Sequence, residues 1–129
     1  MNYVHIVALL AVLQYFMFGA LVGRARNKYG IKAPATSGHE MFERAFRVQM
    51  NTLEQMVGFL PVLLLAGAYW NNAIVAGIGV VYLIGRFIYR QSYVANPDSR
   101  TLGFLLTLLP SAILLVMALI GALGLHAAG

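Results

Sequence analysis

Residues 41–70 read MFERAFRVQMNTLEQMVGFLPVLLLAGAYW. The first half carries Glu43, Arg44, Arg47, Asn51 and Glu54, and from Gln55 onward the charge stops. Starting one residue earlier, Glu40, Arg44, Arg47, Asn51 and Glu54 step by 4, 3, 4 and 3. That spacing is one face of an α-helix. Phe42, Phe46, Val48, Met50, Leu53 and Val57 fall mostly off it. The segment is therefore one long helix, polar along a stripe at its beginning and apolar all round at its end.

The rest of the chain supplies the medium for such a helix. Of 129 residues, 60% are hydrophobic and only 10% charged, where a soluble domain carries about 25% charged residues. Met1–Gly23 and Thr101–Gly129 are uncharged, as are the 31 residues from Gln55 to Gly85. About 20 apolar residues cross a bilayer, so the last stretch holds two crossings, broken at Trp70-Asn71-Asn72. The sequence predicts an all-α integral membrane protein, one domain over 1–129, folded as a four-transmembrane-helix bundle. The helices are expected at about 3–28, 40–69, 73–95 and 97–124. Gly30, Pro34 and Gly38 break the first loop, and Pro61 kinks the second helix. Asn96 caps the fourth helix, with Pro97 at its first position. Ala73, Gly77 and Gly79 mark close helix packing. MNYVH holds no Lys or Arg, so the first segment reads as a retained helix rather than a signal peptide.

Composition excludes several chemistries. The chain has no cysteine, hence no disulfide, cysteine nucleophile or cysteine-ligated metal. His5, His39 and His126 are too scattered to hold a metal. The net charge of +5 belongs to topology rather than to nucleic acid. Arg24, Arg26, Lys28, Lys32, Arg44 and Arg47 surround the first loop, and Arg86, Arg90 and Arg100 the third. Basic loops stay cytoplasmic, which puts both termini outside (periplasm or lumen).

Depth turns the polar stripe into a candidate site. Counted from Trp70, Glu54 lies roughly 24 Å along its helix, and Arg86 lies roughly 21 Å from Asn72. Both fall inside a hydrocarbon core about 30 Å thick. An ionisable residue there costs about 2.5–3.5 kcal/mol and pairs or serves a function. The third helix has its own stripe, Tyr82, Arg86, Tyr89 and Tyr93, stepping 4, 3 and 4. Facing one another, the stripes make a cavity open to the cytoplasmic side, with a Glu54–Arg86 ion pair inside it. Several arginines call for a ligand with more than one carboxylate or phosphate. Glu54 among them calls for a cationic amine on the same molecule. An amino-acid-like polyanion fits, with the bilayer delivering an apolar co-substrate. Arg90 lies off the stripe and snorkels to headgroups.

FERAFRVQMNTLEQ resembles the second-helix signature of MAPEG, the family of membrane-associated proteins in eicosanoid and glutathione metabolism. YLIGRFIYRQSYVANPDSR is similar to its third-to-fourth-helix segment, and GRARNKYGIKAPATSGHEMFER to its basic loop. The resemblance implies a homotrimer that binds glutathione as co-substrate between subunits, with no metal. The glutathione contacts it implies are Arg47, Asn51, Glu54, Arg86, Tyr89 and Tyr93, with Arg26 and with Gln49 reaching toward a neighbour. Arg100 is the implied catalytic residue, holding the thiolate. Gln55 and Asn27 depart from the family pattern. Lowering a thiol pKa from about 8.5 by two units takes roughly 2.7 kcal/mol. One guanidinium at about 4 Å supplies up to roughly 4 kcal/mol before desolvation, so one arginine suffices. The implied function is a transferase or peroxidase, passing the thiolate to a lipophilic electrophile or hydroperoxide. A non-catalytic lipid-binding or scaffolding member is the second reading. A transporter is disfavoured, because its charge belongs at the midplane.

Overall fold

The computed structural model describes residues 1–125; His126 lies outside them. Its helices are α1 (Tyr3–Tyr29), α2 (Glu40–Tyr69), α3 (Asn72–Ala95) and α4 (Thr101–Ala122), with a 3-10 turn at Pro97–Ser99 before α4. All four are long and apolar enough to cross a membrane.

Local chemistry sets each boundary. The Asn2 side chain accepts from the His5 amide at 3.0 Å to start α1. Gly30 ends it at φ 68°, a left-handed position that glycine takes without a Cβ penalty. His39 caps α2 through Nδ1, which accepts from the Met41 amide at 3.1 Å. Glu43 reaches back to the Gly38 amide at 3.1 Å. Asn71 caps α3 through the Ile74 amide at 3.1 Å. At that end of the bundle, the Tyr3 amide donates to Asn72 at 2.9 Å, joining the starts of α1 and α3.

The fourth helix begins later than expected. Asn96 accepts from the Asp98 amide at 3.2 Å, capping the 3-10 turn instead of α4. The Ser99 hydroxyl donates to the carbonyls of Ser92 at 3.0 Å and Asn96 at 2.7 Å. Side chains thus satisfy the open carbonyls at the end of α3, and the chain turns a full corner before α4 starts at Thr101. Arg100 stands at the N-cap position of α4 rather than within its first turn.

The core runs along the bundle axis. Phe59 and Tyr82 stack nearly flat, with ring centroids 3.7 Å apart, and Val7, Ala11, Leu63, Val75 and Leu114 pack around them. The outside is oily: Leu9, Phe16, Leu65, Ile84, Leu109 and Val116 are exposed, as a lipid-facing surface requires. Close packing is found at Gly79 but not at its predicted companions. Ala73 is exposed, and a Cβ on Gly77 would meet nothing within 4 Å. Tight approaches lie instead where α3 meets α4, at Gly103, where a Cβ would sit 2.4 Å from the Tyr89 backbone, and at Gly85, where it would sit 2.7 Å from the Leu106 carbonyl carbon. Those glycines let α3 lie directly on the α4 backbone.

Candidate active site

The two stripes meet in a packed contact around Arg86 rather than across an open cavity. Arg86 is 0% exposed, held among three helices of its own chain. One terminal nitrogen donates to Asn51 Oδ1 at 3.0 Å and to the Thr52 hydroxyl at 2.9 Å, both on α2. The other donates to the Thr107 hydroxyl of α4 at 3.3 Å. Below the guanidinium, the Tyr89 ring lies 4.3 Å away, in cation–π range. Tyr82 is equally enclosed. Over Tyr82, Arg86 and Tyr89 the α3 stripe is buried against α2 and α4, and only Tyr93 is partly exposed.

The expected Glu54–Arg86 ion pair is replaced by another. Glu54 faces Arg47 on its own helix, with nitrogen and oxygen 3.6 Å apart and side chains 57% and 55% exposed. Asn51, half-buried one turn before Glu54, takes the place beside Arg86. Asn51 Oδ1 accepts from Arg86, which fixes the amide orientation.

Several expected residues do come together. Arg44, Arg47, Glu40, Glu43, Tyr93 and Pro97 line a cleft of about 380 Å³ between α2 and the corner after α3. Tyr93 stacks on Tyr89 with centroids 5.6 Å apart. Tyr89 lies within electrostatic reach of Arg47, Arg86 and Arg100. Arg44 pairs with Glu40 and donates to the Val94 carbonyl at 2.8 Å, clamping α2 to the end of α3. Arg100 is exposed and donates to the Pro97 carbonyl at 2.9 Å, leaving further donors on its guanidinium.

Arg26 and Gln49 are placed elsewhere. Arg26 donates to the Ala35 carbonyl at 2.7 Å and lies 4.8 Å from the Phe42 ring centre. Gln49 covers Gly19, where a Cβ would come within 2.6 Å of its Nε2. Phe42 and Gln49 share one side of α2, opposite the face of Arg47 and Glu54. The sequence reading missed three polar residues. Thr52 and Thr107 hold Arg86, and Gln14, 2% exposed, donates from α1 to the Leu83 carbonyl at 2.9 Å. For Gln14 and Thr107 the only signal was a hydrogen-bonding side chain inside an apolar run, whereas Thr52 stands next to Asn51 in the charged half of α2, one position off the polar stripe. Among the described residues, no three of His, Asp and Glu gather in one place.

The MAPEG family pattern matches residues 4–120, nearly the whole helical bundle. The chain belongs to the MAPEG family. Among curated relatives, human microsomal glutathione S-transferase 2 is 39% identical over 118 residues, covering 92% of this chain and 78% of that protein. Guinea-pig leukotriene C4 synthase is 34% identical over 117 residues, 91% of this chain and 78% of the relative. An uncharacterized Synechocystis protein is 46% identical over 118 residues, 92% of this chain and 86% of that one. With four spanning-length helices, this MAPEG chain is a multi-pass integral membrane protein. An apolar belt is exposed along its helices, and the cleft bearing Arg47 and Tyr93 lies at the basic end of the bundle.

Proposed function

We propose that the chain is a glutathione-dependent membrane transferase, conjugating glutathione to lipophilic electrophiles and able to reduce lipophilic hydroperoxides. The observation that carries this reading is the Arg47–Glu54 pair. A cation and an anion stand side by side, more than half exposed and only loosely joined at 3.6 Å. Glutathione offers the complement: carboxylates for Arg47 and an ammonium for Glu54. The relatives named as glutathione transferases support the choice of thiol.

Each residue then has a role. Arg47 and Glu54 grip the charged ends of glutathione, with Tyr93 as the neighbouring wall. Arg86, sealed in the bundle, is a positioning residue: by occupying Asn51 Oδ1 it leaves the Asn51 amide hydrogens for a ligand carboxylate. Tyr89, sandwiched between Arg86 and Tyr93, sets the floor. Arg100 holds the thiolate, whose sulfur bonds to the electrophilic carbon while the leaving group departs with its electron pair. Arg26 and Gln49 point away from this face, and in a homotrimer they are the groups a neighbouring subunit contributes. All nine basic residues lie on the cytoplasmic side, so glutathione enters from the cytoplasm and the co-substrate from the bilayer.

The test is turnover by the detergent-purified protein with glutathione and a lipophilic aryl halide, alongside calorimetric glutathione binding. We expect saturable conjugation in the wild type, and weakened binding in Arg47→Ala with the fold intact. Binding without conjugation of any electrophile tried would favour the lipid-binding or scaffolding reading. Absence of glutathione binding would remove the proposal altogether.

A further inference from the structure

Away from that cleft, a second pocket opens between the basic ends of α1, α2 and α3, with a volume of about 270 Å³. Arg24 and Lys28, one turn apart on α1, stand on one side and Arg90 of α3 on the other. Leu21, Met41 and Val94 are among its apolar lining. No carboxylate lines it, and the two ion pairs among the described residues, Arg44–Glu40 and Arg47–Glu54, involve none of its cations. Three unneutralised cations around one small cleft repel one another unless an anion joins them. Arg90 is only half-buried, with its guanidinium 6.0 Å from the Phe18 ring centre, so it is braced at the pocket rather than free in solvent.

Position selects the anion. Arg24 lies roughly 31 Å from Tyr3 along α1, and Arg90 roughly 27 Å from Asn72 along α3. With a hydrocarbon core about 30 Å thick, Arg24 reaches headgroup level and Arg90 lies within one helical turn of it, close enough for its long side chain to snorkel there. A ligand here meets three cations at the interface and an apolar wall beneath them. An anionic phospholipid has both parts, a phosphate for the arginines and an acyl chain for Leu21 and Val94. We propose that this pocket is a discrete binding site for one anionic phospholipid, separate from the glutathione cleft and independent of that assignment.

The experiment is native mass spectrometry of the full chain released from detergent with added dioleoyl phosphatidylglycerol, phosphatidylcholine or inorganic phosphate. Wild type should retain one phosphatidylglycerol per chain in preference to phosphatidylcholine, and millimolar phosphate should not displace it. A surface cation near anionic lipid is worth about fivefold in affinity, so Arg24→Gln/Lys28→Gln should bind about 25-fold more weakly. Both side chains are exposed, which keeps the fold out of the comparison. Lys32→Gln, outside the pocket, should bind as the wild type does. Equal retention of the two lipids would overturn the site. So would full retention by the double variant, or an equal loss in Lys32→Gln, which would reveal only bulk surface charge. Displacement by inorganic phosphate would assign the pocket to a soluble anion and reject the lipid.

Discussion

Arg86 and Arg47 both sit on the polar stripes that the sequence marks out, yet the bundle treats them oppositely. Arg86 is wholly enclosed, bonded to three side chains from two other helices and seated on Tyr89. Arg47 is more than half exposed and touches one carboxylate at 3.6 Å. A buried charge needs partners close at hand to be tolerated, and both terminal nitrogens of Arg86 are spent on side chains of its own bundle. An exposed, loosely paired charge exchanges its partner at little cost. On the proposed function, the first arginine builds the site and the second uses it.

That division breaks if the two arginines respond alike. Arg86→Ala removes a large buried side chain and strands the polar groups of Asn51, Thr52 and Thr107. We expect a loss of about 2–5 kcal/mol in stability, read as a lower melting temperature in detergent. Arg86→Met, which restores volume without charge, should recover part of it. A melting point unchanged in Arg86→Ala would mean that the node carries no weight. Arg47→Ala should reverse the pattern. Its melting temperature should hold while glutathione affinity falls about 10- to 100-fold, the worth of a hydrogen bond to a charged group; calorimetry reads it directly.

Smaller changes sharpen the same contrast. Thr52→Val or Thr107→Val takes one acceptor from Arg86 and should cost about 1–2 kcal/mol of stability. Glutathione affinity in these variants should fall less than in Arg47→Ala, because Asn51 still accepts from Arg86. Equal or larger binding losses would move the threonines into the ligand shell. Last comes Glu40→Gln, which weakens an exposed i,i+4 pair with Arg44. The expected shift is within about 0.5 kcal/mol by chemical denaturation, since Arg44 keeps its bond to the Val94 carbonyl.

The sequence announced some of this plainly. Long uncharged runs mark the spans because hydrocarbon forbids unpaired backbone and charge, and the α2 stripe is visible because helical phase is regular. Matching Glu54 with Arg86 by depth came within one turn of the contact found, at Asn51. Depth along two helices fixes height but not rotation, so it cannot say which of two residues a turn apart meets the guanidinium. Thr52, Thr107 and Gln14 were silent for a related reason: an uncharged polar side chain becomes informative only when its neighbour is known. The corner at Pro97–Ser99 resembled a helix start because a capping Asn followed by Pro serves a 3-10 turn as well as an α-helix. Ser99 settles the matter by bonding back to the carbonyls of Ser92 and Asn96, contacts that the spacing of the residues alone does not announce.

The central proposal is that Arg100 stabilises the thiolate of a glutathione gripped by Arg47 and Glu54. It is tested most directly by the ultraviolet thiolate band of glutathione bound to purified protein near neutral pH, wild type against Arg100→Ala. A pKa lowered by about two units raises the thiolate-to-thiol ratio about 100-fold, so the wild type should show the band. Arg100→Ala should lose it while calorimetry still registers binding. A wild type that binds glutathione without the band, or a variant that keeps it, would contradict the account.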